Sequence, residues 1–323
     1  MKTRIFSVFL LALGLILGSD APARAESVIR FGHFPNVTHV QALVAHHLSR
    51  QGKGWFEERL GPGVRIEWYI YNAGPSAMEA VFANGIDVTY VGPSPAINAF
   101  AKSGGAEVRI VSGAANGGAA LVVQPGGGIK TGADFRGKRI ATPQLGNTQD
   151  VACRAWLKAQ GLKVTQMGGD AQVIPTPNPD QLSLFLQKSL DAVWTVEPWV
   201  SRLERDAGGV VFLEQKDAVT TVLVSSVKFR KEQDALLRKL VAAHKELTGW
   251  IVAHPAEAQA MVVEELAAET KSRIAPELIR AAWKRIELTN TVSLPSLETY
   301  VKDAQDAGFL RKVPDLQTLV ENP

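Results

Sequence analysis

One cysteine, Cys153, stands in the whole chain of 323 residues, so no intramolecular disulfide can form. In an oxidising compartment the fold would then rest on its hydrophobic core, and the length suffices for that. Cys153 falls in the apolar run of an expected helix, where a lone thiol reads as a small buried hydrophobe rather than a nucleophile. Net charge is scarce as well. Lys and Arg number 35 against 32 Asp and Glu, a balance of +3 that lacks the basic excess of a nucleic-acid binder. Catalytic signatures are missing: there is no G-x-S-x-G elbow, no P-loop, no dinucleotide glycine fingerprint, and no spaced carboxylate pair in the strand-end loops. Long hydrophobic runs are missing too. The uncharged stretch from Ile5 to Gly18 has 14 residues, short of the ~20 that span a bilayer. Flanked by Lys2 and Arg4 and by Ala23-Arg24-Ala25, it reads as a secretory signal peptide over residues 1–25, cleaved after Ala25. Cleavage removes Lys2, Arg4, Arg24 and Asp20 and leaves a mature chain at +1, expected to be exported and soluble.

What is present is a repeated unit. Residues 71–95 read as a strand end, a Gly-Pro-Ser turn at 74–76, a helix over about 75–84, an apolar strand at 86–91, and a second Gly-Pro-Ser turn at 92–94 that opens another helix. Met78, Val81 and Phe82 fall at i, i+3 and i+4 and share one buried helix face. The pattern returns 104 residues later: Pro75, Ile86, Asp87 and Tyr90 are echoed by Pro179, Leu190, Asp191 and Trp194, with the apolar helix positions in register. Each helix is entered through a turn free of large side chains, where unpaired N–H groups and the helix dipole favour an anion. One unit used twice predicts two similar lobes facing each other.

The rest of the chain alternates strand and helix, which predicts α/β layers with largely parallel sheets. Val28–Gly32 reads as the first strand, followed by a loop at 33–36 and a helix from about Thr38 to Arg50. Gly-rich residues 113–118 and a return near 216–222 read as two chain crossings between the lobes. The expected division is residues 26–113 plus 222–323 for a discontinuous first lobe and 114–221 for the second. From Phe229 onward the pattern is helical almost to the end, with Pro255, Pro276 and Pro295 near helix starts. Lobes joined by two strands are expected to close by a hinge motion.

Taken in order, Phe-Gly-His-Phe-Pro-Asn at 31–36, Asn-Ala-Gly-Pro-Ser at 72–76, Ile-Asp-Val-Thr-Tyr-Val-Gly-Pro-Ser-Pro at 86–95, Gly-Lys-Arg-Ile-Ala at 137–141, Gly-Asn-Thr at 146–148 and Asp-Ala-Val-Trp-Thr-Val-Glu-Pro-Trp at 191–199 resemble one family. It is that of the periplasmic substrate-binding proteins of ABC importers for nitrate, sulfonates and taurine. The resemblance covers most of residues 28–225. It implies a type II periplasmic-binding-protein fold with a two-strand hinge, a small anionic ligand in the interlobe cleft, delivery to an ABC permease at the inner membrane, and a monomer without cofactor. Carried over by position, the ligand contacts would be Phe34, Asn36, Gly74, Ser76, Gly92 and Ser94 from the first lobe. The second would add Gly146, Asn147, Thr148, Trp194 and Glu197.

The chemistry of these residues fits an anion. Ser76, Ser94, Asn147 and Thr148 are neutral donors, and the glycines let backbone N–H groups approach closely. None of the turns carries Lys or Arg, which suits a strong-acid group such as a sulfonate. Each residue has a plainer role open to it: Ser76 and Ser94 as helix caps, Trp194 as a core residue, and Glu197 as the dipole-stabilised start of the helix after Pro198. A Glu197 carboxylate facing the cleft would instead attract the ammonium of an aminosulfonate such as taurine. His39, His46 and His47 share one expected helix without a local Cys, Asp or Glu partner at metal-ligand spacing, so no metal site is expected; His33 could border the cleft. An exported enzyme-like or sensory clamp of the same fold, and a binder of a heterocycle such as a pyrimidine, remain as alternatives.

Overall fold

The computed structural model describes residues 27–165 and 168–321, so the expected signal peptide lies outside the described residues. The chain runs through β1 (Ser27–His33), α1 (Val40–Arg50), α2 (Trp55–Leu60), β2 (Val64–Ile70), α3 (Gly74–Phe82), β3 (Val88–Val91), α4 (Pro93–Lys102) and β4 (Val108–Gly117). It continues with β5 (Ala119–Val123), β6 (Arg139–Thr142), α5 (Thr148–Ala159), a small hairpin of β7 (Val164–Thr165) and β8 (Gly168–Gly169), β9 (Gln172–Pro175), α6 (Asn178–Leu186), β10 (Ala192–Val196), α7 (Trp199–Ala207) and β11 (Val210–Gln215). The last part is β12 (Val219–Ser226), α8 (Val227–Glu232), α9 (Asp234–Ala253), α10 (Pro255–Thr270), α11 (Pro276–Trp283), β13 (Ile286–Leu288), α12 (Leu294–Asp306) and α13 (Leu316–Leu319). The expected C-terminal helices are present with their prolines at or beside the first position; β13 is a strand the helical pattern hid.

Two lobes result. The first is a six-stranded sheet in the order β13-β4-β12-β3-β1-β2, the second a five-stranded sheet in the order β11-β5-β10-β6-β9. Pairs β1–β2, β1–β3, β6–β9 and β6–β10 are parallel, as the strand–helix repeats require. The crossing strands differ: β4, β5, β11, β12 and the added β13 pair antiparallel. The reason is topological. A chain that leaves one lobe along β4–β5 and returns along β11–β12 must run in opposite senses on the two strands. The sheets change over at Gly117–Gly118 and at 216–218, inside the two crossings read from the sequence at 113–118 and 216–222. β4 and β12 extend up to these points, with Thr221 opposite Ala115 and Val219 opposite Asn116. At the first crossing Gly117 sits at φ +71, where a Cβ would lie 2.4 Å from the Arg285 carbonyl oxygen, so the bend requires glycine.

The 104-residue echo is a structural lock as well as a pattern. Asp87 precedes β3; its carboxylate accepts from the Arg30 amide on β1 at 2.9 Å, and its own amide donates to the Arg30 carbonyl. Asp191 precedes β10 and makes the same pair of contacts with Arg139 on β6, again at 2.9 Å for the carboxylate. Each aspartate fixes the register of its strand against the parallel neighbour, which determines where the following turn emerges. Apolar residues fill both faces of each sheet. In the first lobe Phe31 stacks between Trp68 and Tyr90 at 5.0 and 5.3 Å on one face, while Ile97, Phe100 and Tyr300 pack on the other. In the second, Trp194 and Phe135 fill one face and Val193, Phe185 and Val200 the other, as strand alternation dictates.

Candidate functional site

The strand ends of both lobes open onto one cavity of about 30 Å³ between them. The first lobe lines it with Phe34, Asn36, Thr38 and His39 after β1, with Asn72, Ala73 and Gly74 after β2, and with Gly92 and Pro95 after β3. The second supplies Pro143 after β6, Asn147, Thr148 and Gln149 at the start of α5, Asn178 after β9 and Val196 at the end of β10; Thr220 comes from the return strand. No Lys, Arg, Asp or Glu lines it among the described residues.

Helix starts and amides provide its polarity. The first turn of α3 has no side-chain cap and brings the N–H groups of Gly74 and Ser76, orphaned as at any helix start. At α5, Asn147 caps by accepting from the Asp150 amide at 2.8 Å, which leaves the Thr148 and Gln149 amides of the first turn without an intrahelical acceptor. Behind that turn Asp150 is fully buried, accepts from Thr142 Oγ1 and the Gly146 amide, and pairs with the buried Arg154 at 3.0 Å. Arg154 in turn donates to the Thr165 and Val173 carbonyls, so the start of α5 is fixed from inside its lobe. Asn36 Oδ1 accepts from Trp199 Nε1 and Asn178 Nδ2 at 3.2 and 3.5 Å, so its amide NH₂ remains as a donor. His39 is buried, and burial first, then the neighbouring His33, holds its pKa well below the ordinary value; it is a neutral imidazole. The Phe34 amide donates to its Nδ1 at 3.3 Å, which assigns the proton to Nε2.

The lobes are closed on each other in this structure. Ser94 N donates to Thr148 Oγ1, Ser76 and Gln144 hydrogen-bond each other at 2.9 Å, and Asn72 Nδ2 reaches the Pro143 carbonyl. On the hinge side Arg285, beside β13, contacts Glu197, Glu204 and Glu214 of the second lobe.

Of the residues singled out from the sequence, Phe34, Asn36, Gly74, Gly92, Asn147 and Thr148 line the cavity. Five do not. Ser76 sits at the rim, engaged with Gln144. Ser94 is buried beside Thr148, and because Pro93 and Pro95 have no N–H, its amide is the lone donor among the first three residues of α4 and is already used. That turn therefore offers no free backbone amide among these three residues in the closed form, while the buried Ser94 hydroxyl keeps no partner among the described residues and remains a donor. Gly146 provides a turn at φ +78 and faces Phe309. Trp194 is a core residue, its Nε1 donating to Gln215. Glu197 is fully buried away from the cavity: it accepts from the Ser201 amide and hydroxyl at the start of α7 and from Arg285 at 3.0 Å. Burial raises its pKa, with the Ser201 and Arg285 contacts opposing. Sequence reasoning missed Thr38, His39, Asn72, Gln149, Asn178 and Thr220. For Asn178 a signal existed, because the 104-residue offset maps Gly74 onto Asn178 and Gly92 onto Val196.

Residues 23–267 match the NMT1-like family. The chain belongs to that family. A relative from Bacillus subtilis (strain 168), provisionally named an aliphatic sulfonates-binding protein, is 24% identical, with 94% of this chain and 93% of the relative covered. Among solved structures, the alkanesulfonate-binding protein SsuA from Xanthomonas axonopodis pv. citri bound to MOPS superposes with a TM-score of 0.73 at 18% identity, over 93% of this chain and all of the other. The periplasmic nitrate-binding protein NrtA from Synechocystis PCC 6803 gives 0.69 at 14% identity, over 91% and 84%. The fold is thus that of periplasmic binding proteins, and these relatives and neighbours are named as binding proteins. No helix among the described residues is long and apolar enough to cross a membrane.

Proposed function

We propose that this protein captures a small strong-acid anion in the interlobe cavity, an aliphatic sulfonate above all, and hands it to an ABC permease. The observation that carries the reading is a cavity lined from both lobes by amide, hydroxyl and backbone donors, with no charged side chain among the described residues. Such a lining stabilises an anion through oriented dipoles and needs no counter-charge. Phosphate-like dianions, which titrate near neutrality, lack the cation they would demand. Closure follows from a ligand that bridges donors of both lobes, since only contacts made in the closed state shift the equilibrium. The lobes proposed to move are 26–117 with 219–323, and 118–218.

Taurine loses its support. With Glu197 turned toward Ser201 and Arg285, no carboxylate faces the cavity to receive an ammonium group. Nitrate is a second reading favoured by size, because a cavity of about 30 Å³ holds only a few atoms before the lobes must open. A thermal-shift panel of alkanesulfonates of increasing length, taurine, nitrate and phosphonates at matched ionic strength tests both. A ligand at 100 times its dissociation constant adds about 2.7 kcal/mol of stability. Shifts with short alkanesulfonates and none with phosphonates support the main reading, and a shift with nitrate alone selects the second. A response only to a cation or a sugar overturns both.

A further inference from the structure

We propose that His33, His46, Glu265 and Glu269 form a binding site for one divalent cation of the zinc class, separate from the ligand cavity. His33 ends β1, His46 lies on α1, and Glu265 and Glu269 lie one turn apart on α10. His33 Nε2 is 2.5 Å from Glu269 Oε1; His46 Nδ1 is 3.0 Å from Glu269 Oε1 and 3.0 Å from Glu265 Oε1. The first three of these atoms lie within 4.8 Å of one another. Around a tetrahedral zinc with bonds of 2.0–2.1 Å, neighbouring donors stand roughly 3.3 Å apart. The two 3.0 Å separations fit that spacing closely, and the 2.5 Å contact has to open by less than about 1 Å.

The second observation is an unmet demand for a cation. Both carboxylate side chains are shielded from solvent (1% and 0% exposed), and each keeps one oxygen, Oε2, without a hydrogen-bond partner among the described residues. Two buried carboxylates on one helix turn repel each other, and a buried oxygen left unpaired is costly. Among the described residues one arginine, Arg50, reaches them; it donates to Glu265 Oε1 at 2.8 Å and leaves Glu269 to the imidazoles. His47 stands beside the group, 4.0 Å from Glu265, with its other nitrogen toward the exposed Glu264. Three donors, from His33, His46 and Glu269, already lie together, and Glu265, outside that group and held by Arg50, would have to swing in to complete the closed four-ligand set of a structural zinc. Its consequence is mechanical. The metal would tie α10 and α1 to the end of β1, and His33 runs straight into the loop from Phe34 to Asn36 that lines the cavity.

The test uses tag-free mature protein stripped with a chelator. Titration with zinc against a chromophoric competitor is expected to show one equivalent bound, with a rise in melting temperature. Cobalt is expected to give the strong visible absorption of four-coordinate geometry. Glu269→Gln and His46→Gln are each expected to weaken zinc binding by about 100-fold, while His254→Gln, remote from the cluster, leaves it unchanged. Absence of a one-equivalent site, a weak octahedral cobalt spectrum, or a Glu269→Gln protein that binds zinc as well as the parent would each overturn the proposal. The wild-type titration and spectrum remain decisive if a variant fails to fold. Sulfonate binding is a separate readout, so failure of one proposal leaves the other standing.

Discussion

Gly92→Ala separates closure from folding. Gly92 has φ −69 and ψ 153, a conformation that alanine adopts freely. A Cβ built there lies 2.3 Å from Thr148 Oγ1 and 3.3 Å from Thr148 Cβ, both on the opposite lobe; within its own lobe it meets only the Thr220 carbonyl oxygen, at 3.7 Å, an ordinary contact. Thr148 is β-branched and its Oγ1 accepts from Ser94 N, so it cannot swing away without losing that bond. Overpacking by one methyl typically costs about 1–3 kcal/mol, here charged to the closed state alone. That corresponds to a roughly 5- to 150-fold loss of affinity for the best alkanesulfonate, measured by calorimetry. The ligand-free protein should be as stable as the parent, or more stable by about 0.4–1 kcal/mol because alanine restricts the unfolded chain. Adding Thr148→Ser, whose hydroxyl rotates freely, should restore part of the affinity in a double-mutant cycle. Affinity within twofold of the parent would refute the argument, as would a fall in ligand-free stability that matches the loss of binding.

Three further outcomes follow from buried groups. Glu197→Gln should lower stability by about 1.5–3 kcal/mol, the value of hydrogen bonds to a buried charge, and Arg285→Met by about 3–5 kcal/mol because it strands that carboxylate; in urea unfolding and binding assays, the Glu197→Gln protein should keep the parent's ratio of taurine to ethanesulfonate affinity, and a selective loss of taurine would restore Glu197 to the site. His244 is buried, hydrogen-bonded to Tyr90 and the Gly113 carbonyl, and burial lowers its pKa from 6.5 to about 4. Between those values the unfolded chain binds a proton that the folded one does not, so its stability contribution is full above pH 6.5 and falls by about 3 kcal/mol toward pH 4. Burial raises Asp303 to about 6, which acts in the opposite sense, so the check is the difference between parent and His244→Gln unfolding curves; curves that stay parallel from pH 7 to 4 would contradict it. Cys153 is buried and burial pushes its thiol pKa up, so it should resist a disulfide reagent in the native protein and react stoichiometrically in denaturant.

The two-lobed plan was legible because its information is local. Strand, turn, helix and the aspartate that locks each strand sit within about 25 consecutive residues, and the same stretch occurs twice. The crossings were legible only as spans of six or seven residues, because nothing local marks where a long strand passes from one sheet's partners to the other's. Within the site, the turns were legible and their surroundings were not. Thr38, His39 and Gln149 stand just past a turn, on the first helical residues, where sequence alone does not say which side faces the cleft. Trp194 illustrates the converse: two residues before the strand end, it lies about 6.6 Å back along the chain, inside the lobe rather than at its mouth. Glu197 was ambiguous for another reason. Its partner Arg285 is 88 residues away, and the choice between a ligand role and an internal ion pair depends on that distant residue. The histidines follow the same logic, since Glu269 lies 236 residues from His33 and 223 from His46, and no spacing rule reaches so far. A neutral cleft and a buried cluster of histidines and glutamates are thus read from opposite kinds of evidence. The first follows from turns that lack charge, and the second appears only when α10 is laid against β1 and α1.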